Sequence, residues 1–139
     1  MYVIIVGLGG IGRSLVHLAT RDKHSVVVID KDEERCREIA GEYDVLPIVG
    51  DATMKSVLEE AGARRADALI ATTSDDAANL MTALLAKEIG VKNVVSVVNQ
   101  QEHAKMFERV GVSIHENPDM VIAEHLYLSM KRPNVRDFI

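Results

Sequence analysis

Tyr2-Val3-Ile4-Ile5-Val6-Gly7-Leu8-Gly9-Gly10-Ile11-Gly12 joins an uninterrupted apolar run to a turn of spaced glycines. A run this short, β-branched and apolar at every position reads as a strand covered on both faces of its sheet. Beyond the glycines, Ile11, Leu15, Leu18 and Ala19 recur at the spacing of one helical face, so the opening reads strand, turn, helix. The alternation continues outward. Ser25 to Ile29 is a second apolar run closed by Asp30, and the charged segment Asp32 to Glu42 reads as a surface helix. Strands are then expected at Val45–Val49, Ala68–Ala71, Val94–Val98 and Ser113–His115. Helices are expected at Met54–Ala61 and Asp75–Ile89, ended by Gly62 and Gly90, then around His103–Val110 and from Asp119 to Met130. Helices between successive apolar strands give right-handed crossovers and parallel pairing. The expected fold is therefore α/β: one doubly wound domain over residues 1–139, with a parallel six-stranded Rossmann-like sheet of order 3-2-1-4-5-6.

The composition agrees with such a core and narrows the function. Of 139 residues 47% are hydrophobic and 27% charged, which is a globular rather than a disordered balance. A net charge of −5, with no cluster of lysine and arginine, argues against a general affinity for nucleic acid or anionic membrane. The single cysteine, Cys36, cannot close an intramolecular disulfide and fits a reducing cytoplasm. The first apolar run ends after five residues, far short of a signal-peptide core or a bilayer span, so neither secretion nor direct membrane insertion is expected.

Gly7, Gly9 and Gly12 satisfy G-x-G-x-x-G directly after a strand and at the start of a helix, and Asp30 follows Gly12 by 18 residues at the end of the second strand. Together these three conditions describe a dinucleotide-binding unit, whereas the glycines alone would describe only a tight turn. Gly7 permits the turn, Gly9 lets backbone approach a pyrophosphate, and Gly12 lets the helix pack on the sheet. Free amides of the turn and the first helical positions, Gly10 and Ile11 among them, would meet the phosphate oxygens with the positive end of the helix dipole. The Asp30 carboxylate would accept hydrogen bonds from both hydroxyls of the adenine-side ribose and would repel a 2′-phosphate, an effect that Lys31 softens. NAD or an adenine nucleotide is thus expected over NADP. Gly50-Asp51-Ala52-Thr53 follows the third strand, where Asp51 can reach an adenine amino group and Thr53 can cap the next helix. Thr72-Thr73-Ser74 follows the fourth strand and is expected to line the same cleft, with Ser74 or Asp75 capping the long helix.

These blocks resemble the TrkA-N domain, also called RCK or KTN. Beside the glycine motif, the resemblance rests on Ile29-Asp30 with Asp32, Gly50-Asp51-Ala52-Thr53, Asp67-Ala68, Asn79-Leu80 and Asn117-Pro118, and it covers almost the whole chain. It implies a cytoplasmic regulatory module that binds NAD, NADH or adenine nucleotides such as AMP, ADP or ATP. The module would pass ligand state to a membrane-embedded potassium-translocating subunit, to which it is peripheral. Two departures bear on the ligand. Members of the family often carry arginine directly after the second motif glycine and an Ala-Arg pair in strand five; here those places hold Gly10 and Ser96-Val97, with Arg13 three positions on. Without two guanidinium groups a triphosphate loses bidentate partners, which favours NAD or AMP over ATP. The family commonly continues into a small C-terminal domain, and Arg132-Pro133 to Ile139 would lead to it.

The alternative to a regulatory subunit is an NAD-dependent oxidoreductase domain working with a separately encoded partner. A dehydrogenase needs a further region to hold substrate, usually a hundred residues or more, so no catalytic residue is expected. Tyr127 and Lys131 match the Tyr-x-x-x-Lys pair of short-chain dehydrogenases, but on the last helix, away from the nicotinamide position. The five histidines show no metal-ligand spacing, so no metal site is expected either. Cys36 reads as a passive, partly exposed thiol. In the last helix Val121, Ile122 and Leu126 are expected to cover the home sheet, leaving Met120, Ala123, Tyr127 and Met130 as a second apolar stripe that suits a homodimer or higher oligomer.

Overall fold

The structure, a computed structural model, describes residues 1–116 and 118–132; Asn117 of the family-like pair and the expected connection at 133–139 lie outside it. Strands β1 (Tyr2–Val6), β2 (Ser25–Asp30), β3 (Leu46–Val49), β4 (Ala68–Ala71), β5 (Asn93–Val97) and β6 (Ser113–His115) form one sheet, ordered β3-β2-β1-β4-β5-β6. Every pairing is parallel. The helices are α1 (Gly10–Arg21), α2 (Glu33–Glu42), α3 (Lys55–Glu60), α4 (Asp76–Ile89), α5 (Ala104–Arg109) and α6 (Pro118–Lys131). The doubly wound order is thus the one that the sequence predicts, with a short 3₁₀ turn at Gln101–His103 preceding α5.

Two apolar layers sandwich the sheet. On one side Val16 of α1 and Cys36 and Ile39 of α2 pack on Val3, Ile5, Val26 and Val28; on the other Leu58, Ala83, Ala86 and Phe107 from α3 to α5 pack on Ile4, Val6, Ile29 and Leu69. Alternate residues of β1 and β2 therefore enter opposite layers, which is why both strands are apolar at every position. The edge strand β3 differs, with Leu46 and Val49 exposed.

Three expectations are corrected here. The core face of α1 is centred on Gly12 and Val16, with Leu15 and Ala19 at its margin, while Leu18 is 44% exposed. Cys36 is buried rather than partly exposed, and burial, with the Asp30 charge beside it, pushes its thiol pKa up. Val121, Ile122 and Leu126 do not cover the home sheet: no residue of α6 is buried, and Met120, Tyr127 and Met130 are exposed with them.

Candidate nucleotide-binding cleft

β1 and β4 are neighbours, yet the chain leaves β1 for α1 on one face and β4 for α4 on the other, so a cleft opens between their carboxyl ends. Gly7 follows β1 directly with a φ of +100°, a conformation that a Cβ would strain, and its N–H donates to the Ile29 carbonyl at 2.9 Å. The chain then reverses into α1 so tightly that a Cβ on Gly12 would overlap the Gly7 carbonyl. Gly9, the N-cap of α1, has nothing within 4 Å of where its Cβ would lie. It supplies no capping side chain, and no acidic residue occupies the first turn, so the opening amides of α1 face the cleft uncapped. By contrast Asp32 caps α2 and Asp75 caps α4 through side-chain hydrogen bonds.

The Asp30 carboxylate also fixes the loop. Its Oδ2 accepts the Leu8 N–H and its Oδ1 the Asp32 N–H, each at 2.8 Å. It therefore anchors the glycine turn to the end of β2 as well as facing the cleft, so removing it disturbs local structure. Beyond it, Asp51 Oδ1 accepts both the hydroxyl and the N–H of Thr53, at 2.7 and 2.9 Å. The hydroxyl and then the amide of Thr53 hold the Asp51 carboxyl below its usual range. Thr53 is consequently not the cap of α3; that position is Met54. Lys31 Nζ lies 4.0 Å from Asp51 Oδ2, with both side chains substantially exposed.

On the β4 side the Thr72 hydroxyl donates to the Val6 carbonyl at 2.8 Å and reaches the Gly7 carbonyl at 3.1 Å, closing the turn from beneath. The Thr73 hydroxyl is held by Asn79 Oδ1 at 2.6 Å, and Ser74 is exposed. Two adjoining cavities result. The smaller, about 240 Å³, is lined by Gly7, Asp30, Lys31, Asp51, Ala52 and Thr53 with Thr73 and Ser74. The larger, about 770 Å³, is lined by Gly7, Gly9, Gly10, Ile11, Asp30 and Thr72 with Thr73 and Ser74, and extends to Asn99 and the start of α6. Every cleft residue expected from the sequence lines one or both, except Gly12, which is buried beneath the turn.

Sequence reasoning missed a buried polar brace behind the cleft. Asp76, 8% exposed, accepts the Asn99 and Gln100 N–H groups at 2.8 and 3.0 Å, the Asn99 amide at 2.9 Å and His103 Nδ1 at 2.7 Å. Burial raises the Asp76 pKa, but the donors from Asn99, His103 and Gln100 outweigh it and hold the carboxyl below its ordinary value. Asn79, also buried, bonds Thr73 and the Val97 carbonyl. The available signal was an asparagine on the helical stripe of Thr82, Ala83 and Ala86, where only a satisfied polar group can be buried. The three side chains weighed for chemistry outside these blocks lie elsewhere. Tyr127 and Lys131 stack at 5.4 Å on exposed α6, and Arg13 lines a groove with His17, Glu42 and Tyr43 outside both cavities.

The model of the TrkA-N domain family matches residues 3–118. A relative named Trk system potassium uptake protein TrkA homolog, from Methanothermobacter thermautotrophicus, is 35% identical over 139 residues; the alignment covers all of this chain and 64% of that protein. Among solved structures, the Shewanella denitrificans Kef CTD in AMP-bound form has a TM-score of 0.80 at 23% identity, covering 95% of this chain and 82% of that one. The GsuK channel bound to NAD has a TM-score of 0.73 at 20% identity, covering 81% of this chain and 21% of that one. Those two likenesses bear on the fold, while the family match rests on sequence across most of the chain. This chain belongs to the TrkA-N domain family.

Proposed function

We propose that the chain binds NAD, NADH or an adenine nucleotide across the two adjoining cavities and serves as a regulatory module of a potassium transport system. The observation that carries this reading is the convergence of uncapped α1 amides, Asp30 and the Asp51 turn on one cleft at the carboxyl edge. The ribose hydroxyls meet Asp30, the phosphates meet Gly9 to Ile11, and the adenine enters the smaller cavity beside Asp51. The name of the Methanothermobacter relative supports potassium uptake as the process served. The same name supports a membrane-embedded potassium-translocating subunit as the partner, with this chain cytoplasmic and peripheral to the membrane through it. Among the described residues no helix is long and apolar enough to cross a membrane. The exposed apolar side chains of α6 support a homodimer or higher oligomer.

A thermal-shift series with NAD, NADH, AMP, ADP and ATP tests the ligand. A bound nucleotide at a hundred times its Kd adds about 2.7 kcal/mol, a rise in Tm of roughly 8 °C for a chain of this size. Stabilisation by none of the five would sink the reading. Potassium flux through a reconstituted Trk-type membrane subunit, with this chain and the stabilising nucleotide added, tests the process. A flux indifferent to both would confine the chain to nucleotide binding, and hydride transfer to a small substrate would favour the oxidoreductase alternative.

A further inference from the structure

The cleft as read above has amides for a phosphate but lacks the family's usual guanidinium groups: Gly10 stands after Gly9, and Val97 is a buried apolar residue of β5. Among the described residues one basic side chain nevertheless lines the larger cavity, Arg35 in the first turn of α2, across from Gly9, Gly10 and Ile11. It is weakly engaged. Its Nε lies 3.9 Å from Asp32 Oδ2, with both side chains about half exposed, and Asp32 Oδ1 is already occupied by the Glu34 and Arg35 backbone amides. Pairs of this kind contribute little. Arg37, two residues on, is different: its guanidinium meets Glu34 at 2.8 Å and Glu33 at 3.7 Å, and it lines neither cavity.

We propose that Arg35 is the cationic partner of the 5′-diphosphate of the bound adenine nucleotide and sets the preference of the site for diphosphate-bearing ligands. This rests on the nucleotide reading above. The α1 amides and the helix dipole meet the diphosphate from one side, and the planar guanidinium leaves Asp32 to donate paired hydrogen bonds from the other. A single guanidinium offsets part of the charge of a dinucleotide or ADP and leaves the third phosphate of ATP without a partner. AMP, with one phosphate close to the ribose, gains less. The ligand class that follows is ADP, NAD and NADH, ahead of AMP and adenosine.

The test is a titration series, by calorimetry for tight ligands and by NMR shifts for weak ones, with adenosine, AMP, ADP, NAD and NADP against the wild-type chain, Arg35→Ala and Arg37→Ala. Arg35 is exposed, so both unliganded variants should melt with the wild type. Arg35→Ala is expected to weaken ADP and NAD by about tenfold or more, the loss of one charge-assisted pair, and to leave adenosine unchanged. Arg37→Ala should match the wild type throughout. Unchanged ADP and NAD binding by Arg35→Ala, or equal losses for adenosine, would overturn the assignment, and a loss confined to NADP would move Arg35 to the ribose 2′ position instead. A wild-type chain that binds none of these ligands defeats the nucleotide reading itself.

Discussion

Gly12→Ala is expected to destabilise the chain by about 3 kcal/mol, roughly 10 °C in Tm, while Gly9→Ala folds as well as the wild type. The two glycines belong to one motif but have opposite surroundings. A methyl group at Gly12 would overlap the Gly7 carbonyl, lie 2.8 Å from its carbon and 3.2 Å from the Thr72 hydroxyl, which itself bonds Val6. None of these atoms is the far end of a flexible side chain. Relief requires α1 to move away from β1, which strips Val16 from its layer. Gly9, with a φ of −75° and open space where a Cβ would lie, tolerates alanine, and the methyl then intrudes where the phosphates are proposed to sit. Thermal melts of the unliganded variants check the first difference, and nucleotide titration of Gly9→Ala checks the second. Equal melting of both variants would show that the tight turn does not control the fold.

Asp76→Ala is expected to cost about 3 kcal/mol as well, because it leaves the N–H groups of Asn99 and Gln100 and the side chains of Asn99 and His103 without their shared acceptor. The damage falls at the end of β5, where Asn99 borders the larger cavity and donates to the Thr73 carbonyl, so cleft geometry goes with stability. A pH dependence follows from the lowered pKa of this carboxyl. A group lowered on folding contributes its stability above the unfolded value, about 3.9, and loses it as pH falls through the folded value, because the unfolded chain then binds more protons. The wild type should therefore lose stability on acidification below about pH 4 more steeply than Asp76→Asn, which carries no titrating group there. Denaturant unfolding between pH 2 and 6 reads this directly. Parallel curves for the two proteins would remove Asp76 from the acid response.

The course of the chain could be read because its strands are apolar on both faces and its glycine turn leads straight into a helix. The spacing from Gly12 to Asp30 placed the carboxylate at the end of β2 without any tertiary information. What was hidden has physical reasons. The phase of α1 is not legible because Gly12, the centre of its buried face, contributes no hydrophobic signal, so the apolar stripe in the sequence runs through Leu18. Thr53 has the chemistry of a helix cap, but the Asp51 carboxylate two residues back takes its hydroxyl first. The acceptor role of Asp76 spans 23 to 27 residues in sequence, and a side chain that meets backbone amides over such distances leaves no periodicity to detect. Arg35 lay inside a charged run that resembles any solvated helix face, and only the fold aims it at the cleft. For α6, periodicity gave two apolar stripes, but which of them a helix buries depends on its docking, and neither is buried here.

The central claim is that a nucleotide lies across this cleft with its ribose on Asp30, and titration of NAD into the wild type and Asp30→Asn tests it most directly. The asparagine keeps an oxygen for only one of the two backbone amides of Leu8 and Asp32 and turns its NH2 group on the other, so the unliganded variant should lose about 1–3 kcal/mol, which circular dichroism melts will register, and the titration is run well below its melting temperature. The account predicts saturable binding of one NAD per wild-type chain and affinity at least about tenfold weaker in the variant, the loss expected when a charged acceptor of ribose hydroxyls becomes neutral. Absence of saturable binding by the wild type, or equal affinity in the two proteins, would contradict it.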